Sequence, residues 1–118
     1  VVKPERWTAQ QWEAATLDLL RRDGDRCGWC SRPFGGDGVR HHRMPRRVGG
    51  DRLSNLVLLH DACHKDVHSR PEAARDRGVI VSIHGDLLTE PAFHERRGWR
   101  LLDDDGRAVL VDRPDPLV

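Results

Sequence analysis

The sequence predicts a small α+β domain. Three observations carry that reading: a helix-start signal near the N-terminus, short apolar runs bounded by Gly and Pro, and a central segment crowded with Cys and His. Its 118 residues, 37% hydrophobic and 33% charged, leave room for one modest core. A core of that size often needs a disulfide framework or a structural metal.

The elements follow in order. Thr8 and Gln11 form a capping-box pattern, after which Trp12, Ala15, Leu19 and Leu20 share one helical face. A helix over roughly 8–23 is therefore expected, ended by Gly24, with Trp7 and Trp12 packing into the core. Residues 27–38 read as a turn-rich loop, and a strand is expected from Val39 to Met44, stopped by Pro45. Gly49-Gly50-Asp51 marks a further loop before the apolar strand Leu56–Leu59. Asp61 is expected to cap a helix over 62–69, closed by Pro71. A short helix from Pro71 to Arg77, stopped by Gly78, and a strand from Val79 to Ile83 come next. Trp99–Leu102 and Ala108–Val111 read as hairpin arms around Asp105-Gly106, and the tail after Pro114 as a frayed end.

Composition narrows the function. No apolar run reaches membrane-spanning length and no apolar signal region opens the chain, so an intracellular, cytoplasmic setting is expected. Three cysteines, an odd number, do not close into disulfides without a remainder. Residues 21–70 carry 11 Arg/Lys against 6 Asp/Glu, whereas residues 71–118 carry 7 against 10. A basic middle beside an acidic tail points to a polyanion bound by the middle, or to a plain solvated face.

All three cysteines and five of the seven histidines lie between residues 27 and 68. Cys27-x-x-Cys30 alone would fit a redox pair or two small buried residues. His60-x-x-Cys63 supplies a second pair at matching spacing, and two such knuckles can close a tetrahedral structural zinc site. His64 and His68, spaced i,i+4 on the expected helix, face one way and can share one ion. His41 and His42 are neighbours on an expected strand, so their side chains point to opposite faces. One of them can bind metal while the other stays free as a base, the division of labour that phosphodiester hydrolysis requires.

The order His41-His42, Gly49-Gly50, Asn55-Leu56, His60-x-x-Cys63, His64 and His68, with Cys27/Cys30 upstream, resembles the motif of HNH nucleases. It is similar especially to versions attached to group II intron reverse transcriptases and to small standalone phage enzymes. The resemblance implies a ββα-metal (His-Me finger) core with zinc knuckles, flanked by an N-terminal helix and a C-terminal β-rich extension. It implies that His42 is the general base and that Asn55 fixes the His42 ring by a hydrogen bond. His64 and His68, completed by His41, would hold the catalytic divalent ion, and Cys27, Cys30, His60 and Cys63 the structural zinc. Many members have Asp where His41 stands, and the all-histidine set resembles bacteriocin-type nucleases, which leaves the ion open among Mg, Mn, Co and Ni. Arg43, Arg46, Arg47 and Arg52 are the expected contacts to DNA phosphates.

The resulting division is an N-terminal helix (1–24), an HNH nuclease core with zinc knuckles (25–70) and an extension packed on the same domain (71–118). The expected activity is hydrolysis of DNA phosphodiesters by a His base and one divalent ion. The competing reading is a non-catalytic, zinc-stabilised nucleic-acid-binding module. DNA is the expected partner, with a phage terminase or another DNA-processing protein beside it in packaging, or a restriction or mobile-element role. The segment from Gly98 to Leu110 resembles tails of small HNH proteins in actinobacteria and their phages, with a structural or partner-docking role expected. His84, His94 and Trp29 are read as surface or packing residues.

Overall fold

The computed structural model describes residues 6–36 and 38–114; the tail after Pro114, expected as a frayed end, lies outside the described residues. Helix α1 (Ala9–Asp23) begins with both hydrogen bonds of the Thr8–Gln11 capping box and ends at Gly24, whose φ of 67° is the left-handed cap that glycine adopts without strain. Strand β1 (Gly38–His42) and strand β2 (Leu56–His60) pair antiparallel. Between them lie a single helical turn, α2 (Arg46–Gly49), and a 3₁₀ turn at Leu53–Asn55. Helix α3 (Asp61–Ser69) leaves β2 directly, α4 (Pro71–Asp76) follows, and β3 (Ala92–His94), β4 (Gly98–Leu102) and β5 (Ala108–Leu110) form a separate antiparallel sheet.

β2 is apolar without alternation because both its faces are covered. Val57 and Leu59 join Cys27, Cys63, Val67, Ala74 and Val79 on one side, while Leu56 and Leu58 join Ala15, Leu19 and Leu53 on the other. Successive strand side chains point to opposite faces, so α3 packs on one face of the two-stranded sheet and α1 on the other. A third, small cluster of Met44, Val81 and Leu87 lies beside them.

Two buried arginines and one aspartate tie the β3–β5 sheet and the preceding loops to this core. Arg43 donates to the carbonyls of Ser54, Gly78 and Glu90 at 2.7–2.8 Å. Arg100 of β4 reaches Asp23 at 2.7 Å, at the end of α1. Asp104, in the β4–β5 turn, accepts from Arg52 and from the backbone and hydroxyl of Ser54.

Several sequence expectations change. β1 ends at His42, because the Met44 N–H is taken by the Asn55 side chain and the chain turns away at Pro45. His60, not Asp61, is the cap residue of α3, and no side chain caps that helix. Residues 79–83 form no strand; the Val79 and Ile80 N–H groups close the end of α4 on the Ala74 carbonyl, and Val81 N–H bonds the Arg43 carbonyl. β3 was not expected, since Ala-Phe-His is too short to show a period.

Candidate active site and metal centres

Cys27, Cys30, His60 and Cys63 bring one ligand atom each to within 4.8 Å of one another. Cys30 Sγ is 3.3 Å and Cys63 Sγ 4.0 Å from His60 Nδ1. Ligands of a tetrahedral zinc at about 2.0–2.3 Å stand roughly 3.5–3.8 Å apart, so the set fits that ion. The other ring nitrogen of His60 lies 3.1 Å from the Pro33 carbonyl. An N–H there leaves the Nδ1 lone pair directed at the cluster, the second bond that metal-binding histidines usually make. Backbone N–H groups of Trp29 and His60 reach Cys27 Sγ, and Arg32 reaches Cys30 Sγ from both backbone and side chain. Burial opposes ionisation of Cys30, but the Arg32 contacts, with those of Cys27 and Cys63, bring its thiol down to about 6. A thiol so lowered is suited to ligate metal as thiolate.

A second cluster gathers His41, His64 and His68, again with ligand atoms within 4.8 Å. The strand register explains it. His41 stands opposite Val57 and so shares the face covered by α3, where His64 and His68 lie one turn apart. His64 and His68 face each other with Nε2 atoms 3.0 Å apart, and the His41 ring centroid is 5.3 and 5.5 Å from theirs. His41 Nε2 lies 2.8 Å from the Val79 carbonyl, which leaves Nδ1 as its free ligand atom. Burial, assisted by the facing His64 and His68, lowers the His41 pKa to about 4 despite the Val79 bond. Burial and His68 likewise lower His64. Three imidazoles that share one point fit a divalent ion.

His42, paired with Leu56, points to the opposite face, edge-on to Trp12 of α1 at 6.1 Å. Its Nε2 is 2.9 Å from Asp51 Oδ1, and the Trp7 N–H donates to Asp51 Oδ2 at 3.0 Å. The Asp51 side chain is 1% exposed. Burial acts to raise its pKa, but the Trp7 N–H, His42 and Arg46 outweigh it and hold the carboxyl below its ordinary value. Asp51 is thus an ionised acceptor that fixes the His42 ring and leaves Nδ1 free. Nothing in the spacing singled it out: Gly49-Gly50-Asp51 reads only as a loop.

The expected bond from Asn55 to the His42 ring is absent. Asn55 is fully buried, with Oδ1 accepting from Met44 N–H at 2.7 Å and Nδ2 donating to the carbonyls of Met44 and Gly50. It closes the loop that delivers Asp51, and a Cβ on Gly49 would come within 2.7 Å of its Nδ2. Arg43 is also corrected. At 1% exposure, its guanidinium is bonded to three backbone carbonyls and is not free for a phosphate. Arg52 is engaged by Asp104, Arg46 is half-buried, and Arg47 is exposed. Arg40, not singled out in the sequence, lies 4.0 Å over the Trp12 ring. Trp29 packs beside the cysteine cluster and bonds Asp66; His84 is exposed, and His94 is buried.

Arg40, His41, His42, His64 and His68 line one cleft of about 400 Å³. The candidate base and the three-histidine cluster thus open on the same space, although they leave the strand on opposite faces.

Comparison with curated proteins and with solved structures gave no match. Residues 27–70 match the family model described as HNH endonuclease. That segment holds both ligand clusters and the β1–β2 pair, and over it the chain is similar to the HNH endonucleases.

Proposed function

We propose that the chain is a metal-dependent endonuclease that hydrolyses DNA phosphodiester bonds with His42 as general base. The observation that carries this reading is the cleft shared by His42 and the trio His41, His64 and His68. A divalent ion held by that trio would supply charge stabilisation for the phosphate and the leaving oxygen. His42, with Nε2–H bonded to Asp51, takes a proton from water at Nδ1, and the Asp51 carboxylate stabilises the imidazolium that forms. Asn55 acts through the loop, holding the Asp51 backbone at a set distance from β1. Arg40 lines the cleft with its guanidinium over the Trp12 ring, and would meet a phosphate of a strand bound there. Products with 5′-phosphate and 3′-hydroxyl ends, and a setting beside a phage terminase, in restriction or in a mobile element, rest on the family resemblance alone.

Digestion of supercoiled plasmid with Mg, Mn, Co or Ni tests the activity. The expected result is nicked and linear DNA with at least one ion and none without. Tight DNA binding without cleavage under every ion would overturn the reading in favour of a binding module.

A further inference from the structure

Away from that cleft, the end of α1 and the β3–β4 turn enclose a second one of about 520 Å³, lined by Arg21, Arg22, Arg96, Arg97 and Arg100. Five arginines line it, of which Arg22 keeps its guanidinium on Asp23 and the Leu53 and Leu56 carbonyls, and two carboxylates answer the five. Asp23 is shared by Arg22 and Arg100, and Asp18 pairs with Arg21. Three positive charges are left in excess. The side chains of Arg96 and Arg97 form no ion pair among the described residues, and both are exposed.

Arg100 is the more telling member. Its side chain is 7% exposed, it is anchored through Nη1 to the Arg22 carbonyl and through Nη2 to Asp23, and its Nε has no hydrogen-bond partner. A buried guanidinium N–H without an acceptor is uncommon in a folded chain, and it leaves the Arg100 charge incompletely compensated beside the cleft. Arg97 rests against Gly24, where a Cβ would lie 2.2 Å from its Nη2. The left-handed cap glycine therefore also makes room for the guanidinium, and the carbonyl end of α1 favours a cation there. Ala108 and Leu110 form an apolar wall on the other side.

We propose that this cleft binds a phosphate group, with Arg96 and Arg97 as donors and the buried Arg100 adding its charge behind them. Planar guanidinium forks suit a multi-oxygen dianion or a strand phosphate. The apolar wall suits the sugar next to it. The site is independent of the catalytic assignments and gives the C-terminal extension a ligand of its own. Its phosphate comes either from a DNA backbone or from free phosphate.

The test uses the full zinc-loaded chain without added divalent ion, so that binding is read apart from cleavage. Arg96→Gln/Arg97→Gln removes two exposed side chains, and its melting curve should match wild type. Anisotropy of a labelled DNA duplex is measured across a salt series, beside the control Arg75→Gln/Arg113→Gln. If the ligand is a backbone phosphate, the double variant binds roughly tenfold more weakly and its log–log salt slope falls by about 2, while the control changes little. If the ligand is free phosphate, DNA binding is unchanged. Titration with inorganic phosphate then shifts the amide resonances of residues 96–100 in wild type and not in the variant. Absence of both effects, or an equal loss of DNA binding in the control, would overturn the proposal and leave the nuclease reading untouched.

Discussion

At the scale of single residues, the His42–Asp51 pair carries the chemistry proposed here. Asp51 is held from two sides, by the His42 ring and by the Trp7 N–H, and its carboxylate is nearly inaccessible. Asp51→Asn keeps the size of the side chain and removes its charge. Its amide also allows the ring to settle in the wrong tautomer. The expected effect on DNA cleavage is a fall in kcat of about 10²–10⁴-fold with little change in KM, the pattern of a group that acts only as charge develops. Steady-state kinetics on a defined duplex checks it, and an unchanged kcat would remove Asp51 from the mechanism. Asp51 was illegible in the sequence because its role depends on a contact with a residue nine positions away and another forty-four away. The motif singles out Asn55 but not its partners: only the folded loop shows that all three of its bonds go to backbone.

At the scale of elements, α3 contributes to two candidate ligand clusters at once. Cys63 faces the knuckles and His64, the next residue, faces His41, because successive helical positions diverge by about 100°. The consequences are separable. Cys63→Ser should unfold the domain, since a small core that loses its zinc loses its staple. His64→Ala should stay folded and lose cleavage. Circular dichroism and zinc content on both variants decide this, and unfolding of both would contradict two distinct sites. The spacing of the knuckles and the i,i+4 histidines makes this arrangement readable in the sequence, as does the parity of His41 and His42 on β1. The Arg43 expectation failed for a reason the sequence does not show. An arginine in a run of basic residues looks like surface, but three loop carbonyls converge on it in the core.

At the scale of the whole molecule, the C-terminal extension is fastened to the core by buried and half-buried ion pairs. Asp23 sits between Arg22 and Arg100 with 4% of its side chain exposed. Burial acts to raise its pKa, but the charges and hydrogen bonds of Arg22 and Arg100 outweigh it and place the folded value below the ordinary one. A carboxyl depressed in this way stabilises the fold fully above its unfolded pKa, near 3.9, and that stability is lost as pH falls through the folded value. Asp23→Asn should therefore melt lower than wild type at pH 7, and the gap should close as pH drops below about 4. A gap independent of pH would assign the loss to packing instead. The hairpin β4–β5 was readable from its turn residues, yet its docking through Asp104 and Arg100 was not, because those partners lie 50 and 77 positions away.

The central claim is that His42 is the base in a cleft whose ion is held by other residues. Single-turnover cleavage of a DNA duplex by wild type and His42→Ala, each at matched metal content, addresses it most directly. The expected result is a rate about 10²–10⁴-fold lower for the variant, with zinc content, ion binding and DNA affinity retained. Undiminished cleavage by His42→Ala would contradict the account.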